Sequence, residues 1–337
     1  VYDLFISLNA LNRPGNFGLR PSWAAGVRSR MPLQQRQFFE ALTGYFHTPL
    51  RWIYTLPPPA KSAAETVKFI QAIPSAEILE QICTPAGSPE SVKITLREIA
   101  ATHQVTSSQK VILQRSYLPG DFLNEEVCNR LIRAWMDPEA FGDGFKMMIS
   151  AYYENFFAEE ETRILPILNE ELEKKKKLAE SVPTEELLED LSHGVKLDKV
   201  MTQPRLVLVP SYWSSPLILY NTVSTDTMLM VFGCRPPEMT LIPGEAVPDR
   251  LLSVLKSLAD PTRLQMLRFL STEPLTAAEL ARKLRLRPPT VTHHLQLLRL
   301  AGLVQIHLEP DGERKYTLRS EALQETQIHL QHYLHED

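Results

Sequence analysis

Residues 276–319 read TAAELARKLRLRPPTVTHHLQLLRLAGLVQIHLEPDGERKYTLR. Thr276 and Glu279 stand at the S/T-x-x-E spacing in which each side chain satisfies the other's backbone N–H, so a helix is predicted to start here and run to about Leu284. A short turn, 285–287, leads to Pro288, whose missing N–H costs nothing at a first helical position. Val291, Leu295 and Leu298 then fall on one side of the helix that follows. Two short helices across a tight turn make a helix-turn-helix arrangement. Gly302 suits the left-handed residue that ends a helix, and beyond it 304–308 and 315–318 alternate as two strands. Asp311-Gly312 between them is a hairpin signal, so the pair reads as a wing.

Working outward, Asp260-Pro261-Thr262 is a further helix start, with Leu264, Leu267 and Leu270 as its expected buried stripe. The outward face of the Pro288 helix presents Pro289, Thr290, Thr292, His293, Gln296 and Arg299. Small hydroxyl, imidazole and amide groups near a helix N-terminus suit the major groove of double-stranded DNA, where they meet base edges without bulk. Arg314 and Lys315 place positive charge at the base of the wing for phosphates. The whole chain has a formal net charge of −4, yet 276–319 holds eight basic and four acidic side chains, so the basic charge is local. His294, next to Leu295, reads as a packed or interhelical histidine, and Arg263 as an intradomain ion-pair partner.

Taken together, LADPTRLQMLRFL (258–270), LTAAELARKL (275–284), PPTVTHHLQLLRLAGLV (288–304) and DGERKYTL (311–318) resemble the ArsR family of bacterial winged-helix repressors. The resemblance covers 248 to about 335. It implies a homodimer in which helices near 251–258 and 320–335 pack across the two-fold axis, and a palindromic operator. It also implies that Thr290, Thr292 and His293 read DNA, with Arg314 and Lys315 in the wing. At Arg287 the family usually has a small capping residue such as Ser, and Arg287 is read here as a phosphate contact instead. The family's thiolate sensors carry a cysteine box on the helix that here reads Ala278-Glu279-Leu280-Ala281-Arg282, which has no cysteine. A zinc-responsive alternative rests on His329 and His332, three apart on the last helix, but the Asp-x-His that would complete the site is replaced by Arg319-Ser320-Glu321. Exposed histidines near a chain end are the plainer reading, and no metal or cofactor is expected.

The chain has 337 residues, enough for two or three domains at roughly 150 residues each. The expected fold class is α+β, mainly α: a largely helical domain over 1–240 with a small antiparallel sheet, a linker at 241–247, and the winged helix-turn-helix domain at 248–337. Within the first domain, 2–8 shows an apolar alternation, 12–21 a Gly/Pro/Asn loop, and 33–46 helical spacing. Helical patterns dominate from Ala63 to about Met201. Strands are expected at 206–210, 217–223 and 228–232, as an antiparallel meander closing this domain. The run Lys174 to Lys177 follows Glu170 to Glu173 and reads as a paired, solvated helix surface.

No nucleophile elbow, P-loop or metalloprotease motif occurs in 1–240, His47, His103 and His193 are isolated, and Gly142-Asp143-Gly144 is too weak for a nucleotide loop, so an enzymatic first domain is the weaker alternative. This region resembles the N-terminal part of some long ArsR-type regulators. Its aromatics Trp135, Tyr152, Tyr153, Phe156 and Phe157 either enclose an apolar effector or form its core, the core being the plainer reading. Cys83, Cys128 and Cys234 make no C-x-x-C pair or disulfide framework. No apolar run approaches roughly 18 residues and no export leader opens the sequence, which points to a cytoplasmic protein without a membrane partner. The chain opens on Val1, which leaves room for residues ahead of it. The function expected is that of a homodimeric repressor whose first domain either senses a small-molecule effector of unknown identity or reinforces the dimer.

Overall fold

The computed structural model describes residues 1–57, 62–117, 122–192, 195–196, 204–215, 217–236, 239, 247–308 and 313–335. The fold is mainly α with small sheets. Its contacts divide it into two compact units, one formed by 1–14 with 20–164 and the other by 15–19 with 165–337.

In the first unit the helices are α1 (Tyr2–Asn12), α2 (Pro21–Arg28), α3 (Leu33–Ala41), α4 (Leu50–Thr55), α5 (Ala63–Ala72), α6 (Glu90–Thr102), α7 (Ser107–Ser116), α8 (Glu125–Met136) and α9 (Pro138–Tyr152). The next helix, α10 (Ala158–Ala179), runs past the point where the units divide. The alternation at 2–8 is a helix and not a strand. Leu4, Phe5, Ile6, Leu8 and Leu11 are all fully buried, and a helix buried on every side is apolar on every side, so its spacing carries no helical period. Asp3 and Ser7 are the buried polar exceptions, and Ser7 is satisfied by the Tyr152 hydroxyl at 2.8 Å.

Four of the five aromatics singled out above are spent on this core, and Tyr153 is only partly buried. Tyr152 stacks on Phe39 and packs with Phe156 and Phe157, and Trp135 is buried on α8. Gly142 and Gly144 lie inside α9 and have a packing reason. A Cβ at Gly142 would stand 1.9 Å from the Ser75 carbonyl oxygen, and one at Gly144 would stand 2.6 Å from the Phe38 ring.

The second unit adds α11 (Thr184–Leu191), β1 (Val195–Lys196), β2 (Arg205–Ser211), β3 (Leu219–Ser224) and β4 (Thr227–Gly233). It continues through α12 (Asp249–Leu258), α13 (Pro261–Leu270), β5 (Leu275–Thr276), α14 (Ala277–Leu284), α15 (Pro288–Leu300), β6 (Val304–Leu308), β7 (Arg314–Leu318) and α16 (Glu321–His335). The expected antiparallel meander is a mixed sheet of order β2-β4-β3, with β2 and β4 parallel and β3 antiparallel to β4. The reason is visible in the strands. Every residue of β4 is buried, so the most apolar strand takes the centre, while β2 contains Pro210, which lacks a donor and belongs at an edge.

This sheet does not close the helical unit. Met230, Phe232 and Cys234 share a core with Leu187, Leu188 and Leu191 of α11 and with Ile306 of β6, and Leu308 and Tyr316 pack on it. Gln305 on β6 also donates to the Glu189 carboxylate. The compact units therefore divide near Ile164, not at 241–247. Of that expected linker, 241–246 lies outside the described residues, as does His193. On α10, Lys174 pairs with Glu170 and Glu171, Lys176 with Glu173, and Lys175 with Asp190, so most of the lysine run is neutralised locally.

Candidate nucleic-acid interface

Three helix starts set the geometry of the terminal region. The Asp260 side chain accepts the Arg263 N–H at 2.9 Å, with Pro261 at the first helical position of α13. Thr276 and Glu279 form the reciprocal cap of α14, and Pro288 opens α15 behind Arg287, whose side chain makes no capping bond. Arg285 ends α14 at φ +55, in the left-handed region, and the Leu286 N–H returns to the Ala281 carbonyl at 3.0 Å. Gly302 takes the same role after α15 at φ +70.

Val291, Leu295 and Leu298 of α15 are buried with Met266, Leu267, Leu270, Leu280 and Leu303. Leu264 departs from the expected stripe: it is 49% exposed, and Met266 fills the core position in its place. The strands β6 and β7 pair antiparallel with Leu308 opposite Arg314 and His307 opposite Lys315. The Asp311-Gly312 turn lies outside the described residues. On the inner side of the hairpin β7 also pairs with β5, and on the outer side β6 pairs in parallel with β1. A three-helix core carrying a β hairpin is the winged-helix arrangement.

Residues 258–307 match the helix-turn-helix domain family. This chain therefore carries a helix-turn-helix domain. It is also similar to the transcriptional repressor SdpR of Bacillus subtilis (strain 168), 33% identical over 55 residues, which are 16% of this chain and 61% of that repressor.

On the helix-turn-helix domain, Arg287, Pro289, Thr290, Thr292 and His293 are exposed together at the N-terminal end of α15. Gln296 is half-buried, its Nε2 donating to Asn16 Oδ1 at 3.1 Å. Arg299, placed on the same outward face by its spacing, is half-buried beside Arg314, Tyr316 and Tyr220, and burial pulls its guanidinium below its ordinary pKa. Arg314 is exposed and Lys315 half-buried. Arg282 and Arg285, which the sequence pattern does not single out, are also exposed ahead of α15. No acidic side chain stands between Glu279 and Glu309, so the stretch that carries α15 is neutral or positive throughout.

His294 is packed, with Nδ1 buried and without a hydrogen-bond partner among the described residues. Burial holds its imidazole below the ordinary value, against the pull of Asp260. Arg263 is an internal cap. Its guanidinium donates to the Ser257 and Lys256 carbonyls that end α12, at 2.9 and 2.7 Å, and its Nη1 lies 3.9 Å from Asp260 Oδ2. Arg250 of α12 and Arg319, between β7 and α16, both pair with Glu325 of α16. Among the described residues no group of three or more His, Cys, Asp or Glu is arranged to hold a metal. His329, His332 and His335 lie on α16. Cys83, Cys128 and Cys234 are buried and stand outside any disulfide among the described residues, and burial raises the first two further from the thiolate form. Among the described residues no helix is long and apolar enough to cross a membrane.

Proposed function

We propose that this protein is a DNA-binding transcriptional regulator of the ArsR type, acting as a homodimeric repressor on an inverted-repeat operator. The observation that carries the reading is the exposed, acid-free face formed by Arg287, Pro289, Thr290, Thr292 and His293 at the start of α15, with Arg314 and Lys315 on the adjoining hairpin. Thr290, Thr292 and His293 are assigned to base edges, and Arg287, Arg314 and Lys315 to phosphates. The similarity to a transcriptional repressor supports the direction of control.

Dimer formation is supported by the apolar side chains left uncovered on α12 and α16. Leu255, Leu323, Ile328 and Leu334 are between 40% and 65% exposed. A two-fold partner covering them places two α15 helices on successive major-groove faces, which is why an inverted repeat is expected. Residues 248–337 are assigned as the DNA-binding module and the preceding chain as the receiver of the effector.

Selection of duplexes from a random pool with the full-length protein tests this. Enrichment of an inverted repeat with half-sites about one helical turn apart is expected. Recovery of duplexes without any shared sequence would overturn the assignment of α15 as a reading helix.

A further inference from the structure

The outward face of α15 is open at its N-terminal end and engaged at its C-terminal end. Gln296 is the point where this changes, because its amide donates to Asn16. Asn16 belongs to the 15–19 segment, whose contacts lie with the second compact unit. In that segment Phe17 and Leu19 are buried, whereas Gly15, Asn16 and Gly18 are exposed, and Gly18 turns the chain at φ +72. Two buried apolar side chains thus anchor a short loop that offers a carboxamide to the helix. A glutamine that reads adenine uses its N–H and its carbonyl together, in one plane, on the N6 and N7 atoms. Nε2 carries two hydrogens, and with one of them committed to Asn16 the loop fixes the orientation of the carboxamide and competes with a base edge for it.

We infer that the Asn16 loop is an autoinhibitory latch: the 15–19 segment and DNA compete for Gln296, and full engagement of an operator requires the latch to leave. The inference rests on the reading of α15 as the DNA-reading helix. It assigns Asn16, which has no place in a helix-turn-helix domain, to the control of binding. The latch is weak by construction. A single neutral hydrogen bond of this kind is worth a small factor, so it tunes affinity and can be lifted by a modest signal.

The test compares wild type, N16A, Q296A and N16A/Q296A, all full length, by fluorescence anisotropy on the duplex that wild type selects and on a scrambled duplex. N16A is expected to bind the selected duplex roughly two- to tenfold more tightly than wild type. In the Q296A background the same substitution is expected to change nothing, since the two side chains act as one pair. N16D keeps an acceptor for Nε2 and is expected to bind no more tightly than wild type, with the thermal melts of all variants compared to wild type. Equal affinity of folded N16A and wild type overturns the latch, and so does a gain that persists in Q296A. Absence of any preference between the duplexes in every protein, wild type included, overturns instead the DNA-reading role of α15.

Discussion

The Thr276 hydroxyl accepts the Glu279 N–H at 3.2 Å while the Glu279 carboxylate accepts the Thr276 N–H at 2.8 Å, so the two residues close the start of α14 from both sides. T276A is expected to cost about 1 kcal/mol locally, read as a roughly fivefold loss of hydrogen-exchange protection in the α14 amides. The same bonds hold the Glu279 carboxyl below its ordinary value of 4.5. A carboxyl depressed in the folded state stabilises above its unfolded value, and that contribution disappears as pH falls below about 4.5 through the folded value. Protection in α14 should therefore fall on acidification in wild type and fall less in E279Q. Identical acid profiles would show that the cap is not felt in solution.

Arg287 holds the N-cap position of α15 without capping it. R287S supplies an acceptor for the Thr290 N–H, the first amide of α15 after Pro288 and Pro289, and is expected to raise the stability of α15 by about 0.5–1 kcal/mol. It also removes a charge assigned to phosphate. DNA binding should weaken on all sequences alike, with the salt slope reduced by about one. Stability and affinity moving in opposite directions is the expected signature, and a loss of both would place Arg287 in the fold instead.

His294 gives a pH dependence of its own. Burial lowers its pKa from the ordinary 6.5, the nearby Arg263 and His293 act in the same direction, and Asp260 opposes them. The unfolded chain then takes up the proton first, so stability is full above about pH 6.5 and declines as pH falls through that value toward the folded one. Thermal melts of wild type should drop between pH 7.5 and 5.5 by more than those of H294Q. Equal drops would remove His294 as the cause.

In the first unit the sharpest expectation concerns Gly142. A methyl group there meets the Ser75 carbonyl carbon at 2.5 Å as well as its oxygen, so backbone has to move and no flexible side chain can yield. G142A is expected to destabilise by roughly 1–3 kcal/mol, visible in urea unfolding, whereas the exposed Gly26, with nothing near its Cβ position, should accept alanine with no such loss.

The terminal region was legible because its signals are local. Asp260, Thr276, Pro288 and Gly302 each fix a helix end through bonds to neighbours in sequence, and Val291, Leu295 and Leu298 mark a single buried face. Where contacts come from far along the chain the sequence misled. The alternation in 2–8 is a fully buried helix, and the strands at 205–233 looked consecutive although the central position goes to the last of them. Their partners, α11 and the back of the wing, are separated from them by stretches without any pattern that pairs them. Neither Asn16 against Gln296 nor Tyr220 beside Arg299 leaves a trace in local spacing, which is why the face of α15 looked longer in sequence than it is in the fold.

Recognition and attraction should separate cleanly by mutation. Thr290 and His293 are exposed on α15 and carry groups suited to base edges, so the T290A/H293A pair is expected to lose about 1–3 kcal/mol on the selected duplex while binding to random DNA hardly changes. Lys315 sits on β7 at the base of the hairpin, opposite His307. K315A should weaken selected and random duplexes by the same factor and lower the salt slope by about one. The two patterns are told apart by measuring both duplexes over a salt series. Equal loss on both duplexes for T290A/H293A would mean that α15 contributes charge and shape without reading sequence, and specificity would then have to come from the hairpin or from DNA deformation.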